Sequence, residues 1–346
     1  MKKLLFIFFL LLGAVYAPAQ STDDPNYRYF YLPLQRLLAQ NPSAEVSLVG
    51  AAQILPDNYN YAALLPRQSR AVLLGEIHDR DAIVREINHI ISQLGKNKNL
   101  GFTHFATEFL PQSSQKAFED AERKNIPFEQ LGAHINPNIE FYDSGLTAMR
   151  TANRLGLQVV GLDIDDILEK GGTAWALTDE GLKKRNEAWF SAMDNVFRRQ
   201  DRARFMVHCG SLHSQYNIEN SLGDLLKRAG TDPLVILFES GPDTAEQLTC
   251  ENISASAARY TYGWYEFFCR HGLADKNLIL KVPPQYADKL GMDVLVYIHN
   301  HNALRDMAKK DMERLLKETG FLKYKDSRTH PDSTASQILR RATFSQ

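Results

Sequence analysis

Ala71-Val72-Leu73-Leu74-Gly75-Glu76-Ile77-His78 is a short apolar run that passes without a break into a glycine, a carboxylate and an imidazole. A similar order, without the carboxylate, returns at 204–213, where Phe205-Met206-Val207-His208-Cys209 leads into Gly210-Ser211-Leu212-His213. Further apolar runs at 103–107, 158–162, 233–238, 278–282 and 294–298 share this pattern of polar residues at the C-terminal end. Runs that are continuous rather than alternating suit strands buried on both faces, as in a parallel sheet. The segments between them have helical spacing. Ile83, Ile87, Ile90 and Ile91 recur at three to four residues, as do Leu182, Trp189, Met193 and Phe197. Strand–helix alternation of this kind predicts an α/β fold, a mostly parallel central sheet flanked by helices.

In such sheets ligands bind outside the carboxyl ends of the strands. Those ends carry Glu76 and His78, then Thr107-Glu108-Phe109, then Asp163 and Asp165, then His213, and finally Glu239. Parallel strands would bring two histidines and several carboxylates to one rim, where they could hold a divalent metal or do acid–base chemistry on an ester or amide. Each has a plainer reading. Glu108 could be hydrogen-bonded at the sheet edge, Asp163 and Asp165 could cap the next helix, and both histidines could be structural. What joins the histidines is the Gly-x-x-His frame they share, in which glycine permits a tight turn and close backbone approach.

The N-terminus has three parts. Lys2 and Lys3 are followed by an apolar stretch over 4–15 and then by Ala17-Pro18-Ala19, which together predict a signal peptide over 1–19 cleaved before Gln20. The apolar stretch is shorter than the roughly 20 residues a bilayer span needs, so no membrane span is expected after cleavage, and the mature chain is expected to be periplasmic or secreted. Residues 20–67, rich in Tyr, Pro, Asn and Gln, read as a lead-in, 68–322 as the α/β domain, and 323–346 as a polar tail. A net charge of -1 gives no basic face for nucleic acid. Of the three cysteines, export would permit a Cys250–Cys269 disulfide and leave Cys209 as a small buried hydrophobe. Between the second and third strands, 112–142 is either a lid or an ordinary helical connection.

Gly75-Glu76-Ile77-His78 with Glu108, followed by Gly210-Ser211-Leu212-His213, resembles the superfamily that unites TIKI and TraB proteins, ChaN-like haem-binding proteins and erythromycin-esterase-like hydrolases. Arg185-Asn186 is similar to an Arg-Asn or Arg-Asp pair that several branches carry before the fourth strand, although Lys184 stands where some relatives have Glu. The separation of His208 from His213 is nearer the ChaN and TIKI pattern than the His-Asn-x-His of the esterase-like branch.

The resemblance implies a hydrolase acting on a small-molecule or peptide substrate. In the TIKI manner His78, Glu108 and His213 would hold a divalent metal ion. In the esterase manner His78 would be a general base, oriented by Glu76 or Glu108, with Arg185 steadying an oxyanion or a substrate carboxylate. Arg185 could equally be a surface ion pair. The alternative is a haem or iron-compound carrier, with a slot supplied by Tyr260, Tyr262, Trp264, Tyr265, Phe267 and Phe268, unless those aromatics are core or a lid. A catalytically silent relative is the third reading.

Overall fold

The computed structural model describes residues 27–66, 68–78, 80–136, 143–165, 173–242 and 247–299. The expected leader at 1–19 and tail at 323–346 lie outside them. Eight strands form one sheet: β1 (Ala52–Ile54), β2 (Ala71–Glu76), β3 (His104–Pro111), β4 (Gln158–Asp163), β5 (Phe205–Gly210), β6 (Leu234–Ser240), β7 (Leu278–Lys281) and β8 (Val294–Ile298). Their spatial order is β1-β7-β8-β6-β2-β5-β3-β4. Six neighbouring strands, from β8 through β4, run parallel, while β7 is antiparallel to both β8 and β1.

Every expected strand is present, and the continuous apolar runs do bury both faces. Leu73, Ala106, Val207 and Val235 point to one side, where they meet Trp189, Met193 and Phe197 of the helix Asp179–Arg199. Val72, Leu74, Phe105, Met206 and Ile236 point to the other, against Ile83, Ile87, Ile90 and Ile91 of the helix Asp81–Lys96. Both helical stripes fall where the spacing put them.

Three features differ from the sequence reading or were open in it. Residues 32–54, inside the expected lead-in, fold onto the sheet. Leu34, Leu37, Ala44 and Leu48 join the main core, and β1 pairs Ala52 with Leu280 at the sheet's edge. The second strand runs on to Pro111, with its pairing to β4 shifting register between Thr107 and Pro111. Glu108 therefore lies within the strand rather than after it. The segment after β3 is helical through Gln115–Arg123 and Phe128–Ile135, the connection rather than the lid up to residue 136.

Cys250 and Cys269 form a disulfide, and Cys209 is free and buried. The aromatic segment around Trp264 is buried at all six positions, with Phe267 and Phe268 at 0 % exposure. Among the described residues no helix is long and apolar enough to cross a membrane.

The chain starts the parallel sheet in the middle, at β2, builds β3 and β4 to one side, and returns through β5 before crossing to β6 and β8 on the other. The reversal leaves a crevice at the carboxyl ends of β6, β2 and β5. There β2 and β5 lie in register, Gly75 beside Cys209 and Glu76 beside Gly210, so the two Gly-x-x-His motifs leave the sheet side by side. A Cβ on Gly75 would collide with Ser214 Oγ and come within 2.7 Å of Leu237 Cδ2. Gly75→Ala is expected to cost about 1–3 kcal/mol, as overpacked interiors do. An unaltered denaturation midpoint for that variant would contradict the packing described.

Candidate functional site

Four strands and one helix supply the side chains that meet at this rim. Glu76 and His78 come from the end of β2, Glu108 from β3, Asp163 from the end of β4, and His208 from β5. His213 sits in the single turn Ser211–Ser214 that follows β5, and Arg185 and Asn186 lie on the buried side of Asp179–Arg199. All five residues singled out from sequence as catalytic, Glu76, His78, Glu108, Arg185 and His213, fall within one connected network.

Glu108 is its centre. Oε1 lies 3.1 Å from Nε2 of His78 and accepts the N–H of Gly210. Oε2 lies 3.4 Å from Nη2 of Arg185 and 3.5 Å from Nε2 of His213. Arg185 grips Asp163 with two donors, Nε to Oδ1 at 2.9 Å and Nη2 to Oδ2 at 3.2 Å. Its third donor, Nη1, lies 3.1 Å from Nε2 of His213. A guanidinium only donates, so Nε2 of His213 must be the acceptor and the ring proton is on Nδ1. That proton is donated to Oδ1 of Asn186 at 2.7 Å. The Arg185-Asn186 pair thus sets both the position and the tautomer of His213. Arg185 is buried, which removes the surface-ion-pair reading.

Glu76 has no exposed side-chain surface, and its Oε1 lies 3.3 Å from Nδ1 of His78 and 3.0 Å from Nε2 of His208. His78 therefore stands between two carboxylates. It is also the ring that reaches solvent, with a side chain 34 % exposed against 5 % for His213 and for Glu108. Phe109 meets the His78 ring edge-on at 5.0 Å, and Trp189 covers His213 at 4.2 Å while its ring also faces the Arg185 guanidinium.

These surroundings drive the two histidines apart. Burial favours a neutral His78, but the Glu108 carboxylate and then Glu76 outweigh it and hold the ring at about 10. For His213, burial and the Arg185 charge act together and push it down to about 3. Burial would raise Glu108, yet His78, His213 and Arg185 keep its carboxyl well below the usual carboxylate range. Glu76 is lowered too, His208 and His78 overcoming its burial, while burial raises Asp163 against the pull of Arg185. At neutral pH the cluster holds an imidazolium and a guanidinium on either side of one carboxylate, with a neutral imidazole behind.

Each motif's glycine makes room for the other motif. Gly75 seats Ser214, three residues beyond Ser211 in the second motif. A Cβ on Gly210 would lie 3.3 Å from Glu108 Oε1 and from Cε1 and Nε2 of His78, the two atoms of the His78–Glu108 contact among them. Neither glycine has a positive φ, so the reason for glycine here is close approach rather than turn conformation.

The expected metal ligands do not fit a metal ion. His213 offers its one ring lone pair to an Arg185 N–H, and a guanidinium already stands where a cation would bridge His213 to Glu108. Among the described residues no group of three or more His, Cys, Asp and Glu has metal-site geometry. Haem fits no better at the aromatic segment, whose six rings are buried, with Trp264 alone among them lining a small cavity beside Leu34 and Glu239.

Two neighbours of the cluster were not identified from sequence. His208 alternates with Val207 and Cys209 along β5, so its ring faces the same side as Met206 and Glu76. That period was readable, but an in-strand histidine looks like core. Trp189 lies four residues after Arg185, one helical turn on, and spacing alone could have paired them.

No protein-family model matches the chain, and no curated protein matches it. Solved structures do. The chain is similar to the type III effector HopBA1, at 19% identity over 57% of this chain and 88% of that one, with a TM-score of 0.37. It is similar to ChaN of Campylobacter jejuni, described with cofacially bound heme, at 14% identity over 51% and 84% of the two chains and a TM-score of 0.34. A Bacillus cereus protein aligns at 11% identity over 74% and 97%, with a TM-score of 0.39.

The opposed histidines give a stability signature. An unfolded histidine titrates near 6.5. The raised His78 therefore contributes in full below pH 6.5 and loses its contribution as pH climbs through about 10. The depressed His213 contributes above pH 6.5 and loses it as pH drops through about 3. Ring NMR titration is expected to show His78 protonated and His213 neutral throughout the neutral range. Two rings titrating together near 6.5 would contradict the network.

Proposed function

We propose that the chain is an exported hydrolase that cleaves an ester or amide by acid–base chemistry divided between His78 and Glu108. The observation that carries this reading is one buried carboxylate held between a guanidinium and an imidazolium, of which only the imidazolium is substantially open to solvent. Neighbouring titratable groups driven apart in this way are a recurring basis for acid and base roles.

The division of labour follows from the protonation states. A ring that keeps its proton to about 10 is an acid at neutral pH, so the base role read from sequence for His78 passes to Glu108. A substrate carbonyl entering at the exposed edge of His78 parts the 3.1 Å contact. Glu108, relieved of the His78 contact that lowers it most, takes a proton from water as the water oxygen adds to the carbonyl carbon. Arg185, charged and fixed by Asp163 and His213, steadies the resulting oxyanion. Nε2–H of His78 protonates the leaving oxygen or nitrogen as the bond to carbon breaks. The proton on Glu108 then returns to His78 and restores the pair, leaving no net change in the protein. His213 and Asn186 position Arg185 and do not touch the reacting atoms. Export rests on the leader-like residues 1–19 and is supported by the Cys250–Cys269 disulfide, a bond that persists in oxidising compartments.

Glu108→Gln and His78→Gln are each expected to lower kcat by about a hundredfold or more on a panel of activated esters and amides, with circular dichroism unchanged. The pH profile tests the assignment of roles. The value of kcat/KM, which reports the free enzyme, should be level through neutral pH and fall as pH approaches 10, where His78 gives up its proton. A profile that instead rises through pH 6.5 would make His78 the base and overturn this division.

A further inference from the structure

A small, partly enclosed cavity of about 20 Å³ lies at the carboxyl ends of β2, β5 and β6. Space of that size holds a water or a group of one or two non-hydrogen atoms. Both Gly-x-x-His motifs supply a wall. Ile77 immediately precedes His78, and Ser211 immediately follows Gly210, where a Cβ would lie 3.3 Å from His78 Nε2 and from Glu108 Oε1. The cavity therefore begins one residue, about 3.8 Å along the chain, from the proposed reacting pair. Leu34, Leu237, Leu290 and Trp264 make much of the remaining wall apolar. Glu239 is its buried carboxyl. Alternation along β6 puts it on the same face as Leu237, and it is only 5 % exposed. Oε1 accepts the N–H groups of Trp264 and Tyr265, at 3.1 and 3.2 Å, in the first turn of the helix Gly263–Arg270. Among the described residues no hydrogen bond reaches Oε2. Gln215 and Tyr29, which also line the cavity, are engaged elsewhere, Gln215 with the Ser211 carbonyl and Tyr29 with Asp179.

A polar atom enclosed without a partner is costly, so a ligand group that supplies the partner is favoured. Burial pushes Glu239 up to about 8 against the pull of Arg80 and the two N–H groups. At pH 7 the carboxyl is therefore mostly protonated and the cavity carries little charge. A hydroxyl both donates and accepts, so it pairs with Oε2 in either protonation state. An alkyl group leaves Oε2 unmet, and a carboxylate meets a charge like its own once Glu239 ionises. We propose that this cavity is a substrate subsite that takes a short, uncharged, hydroxyl-bearing group next to the scissile carbonyl, with Glu239 as its hydrogen-bond partner. The subsite deepens the hydrolase reading and rests on it for its role in catalysis. Recognition of the hydroxyl does not itself require hydrolysis.

The test uses the full mature chain and two probes that differ by one oxygen, glycolamide and acetamide, followed by NMR through the Trp264 indole N–H. Wild type is expected to show a saturable shift with glycolamide and at least about tenfold weaker binding of acetamide, because a site built for a hydroxyl discriminates against the analogue that lacks it. Leu290→Phe, which fills the cavity and leaves Glu239 in place, should abolish the glycolamide shift. Glu239→Leu removes the hydroxyl's partner and should erase the difference between the probes. If that variant does not fold, Glu239→Gln, which still accepts from Trp264 and Tyr265 and donates to a hydroxyl, should retain the preference. In hydrolysis, the ratio of kcat/KM for a glycolate ester to that for the acetate ester of the same alcohol should fall at least about tenfold from wild type to Leu290→Phe, a comparison that cancels the esters' intrinsic reactivities. Equal affinity for the two probes in wild type, no shift with either, or a glycolamide shift that survives Leu290→Phe would overturn the subsite. Selective glycolamide binding without hydrolysis of any ester would keep the subsite and remove the hydrolase, and hydrolysis without a glycolate preference would do the reverse.

Discussion

A carboxylate sealed under the rim of a sheet has to be answered by charge, and the answer given to Glu108 organises the rest of this structure. Its two oxygens meet His78 and a backbone N–H on one side and Arg185 and His213 on the other. Deleting one partner of a buried ion pair typically costs about 3–5 kcal/mol, so each of these contacts constrains where its parent element can lie. Arg185 needs Asp163, which fixes the end of β4 against the helix Asp179–Arg199. His213 needs Asn186 from the same helix. The sheet edge and that helix are consequently held together by polar contacts above and by Trp189, Met193 and Phe197 below.

The same arrangement explains how two histidines in matching sequence frames come to differ. His78 is held between acceptors and keeps an extra proton, whereas His213 faces a donor and gives up the chance of one. Imidazole can follow either course because its ordinary pKa lies close to neutrality. The frame does not decide it. What decides is whether the nearest partner accepts or donates, and that depends on Arg185 and Asn186, 28 and 27 residues upstream of His213.

Much of this was legible in the chain. Apolar runs such as 71–74 and 204–209 read as buried strands because both faces of β2 and β5 are covered, and the isoleucine spacing of 83–91 read as a helix because those four side chains share the stripe that packs on the sheet. Motif order alone groups Glu76, His78, Glu108, Arg185 and His213. Less legible was whatever depends on pairing across the chain. β1 is only three residues long and has no pattern of its own; its place comes from β7. The register shift that carries Glu108 inside β3 leaves no local trace. A metal set and an arginine-bridged set use the same histidines and carboxylate, and only the direction of the Arg185 donors tells them apart. The aromatics of 260–268 suggested a slot because composition is blind to whether rings face one another or a cavity.

The two glycines bear on how this site can be altered. Gly75 and Gly210 are spaces kept empty in one motif for the benefit of the other, so the loops after β2 and β5 are mutually fitted. Transplanting either loop alone from a distant homologue would import a shape cut for a different counterpart. Grafts and libraries at this rim should therefore treat 75–78 and 210–214 as one inseparable cassette.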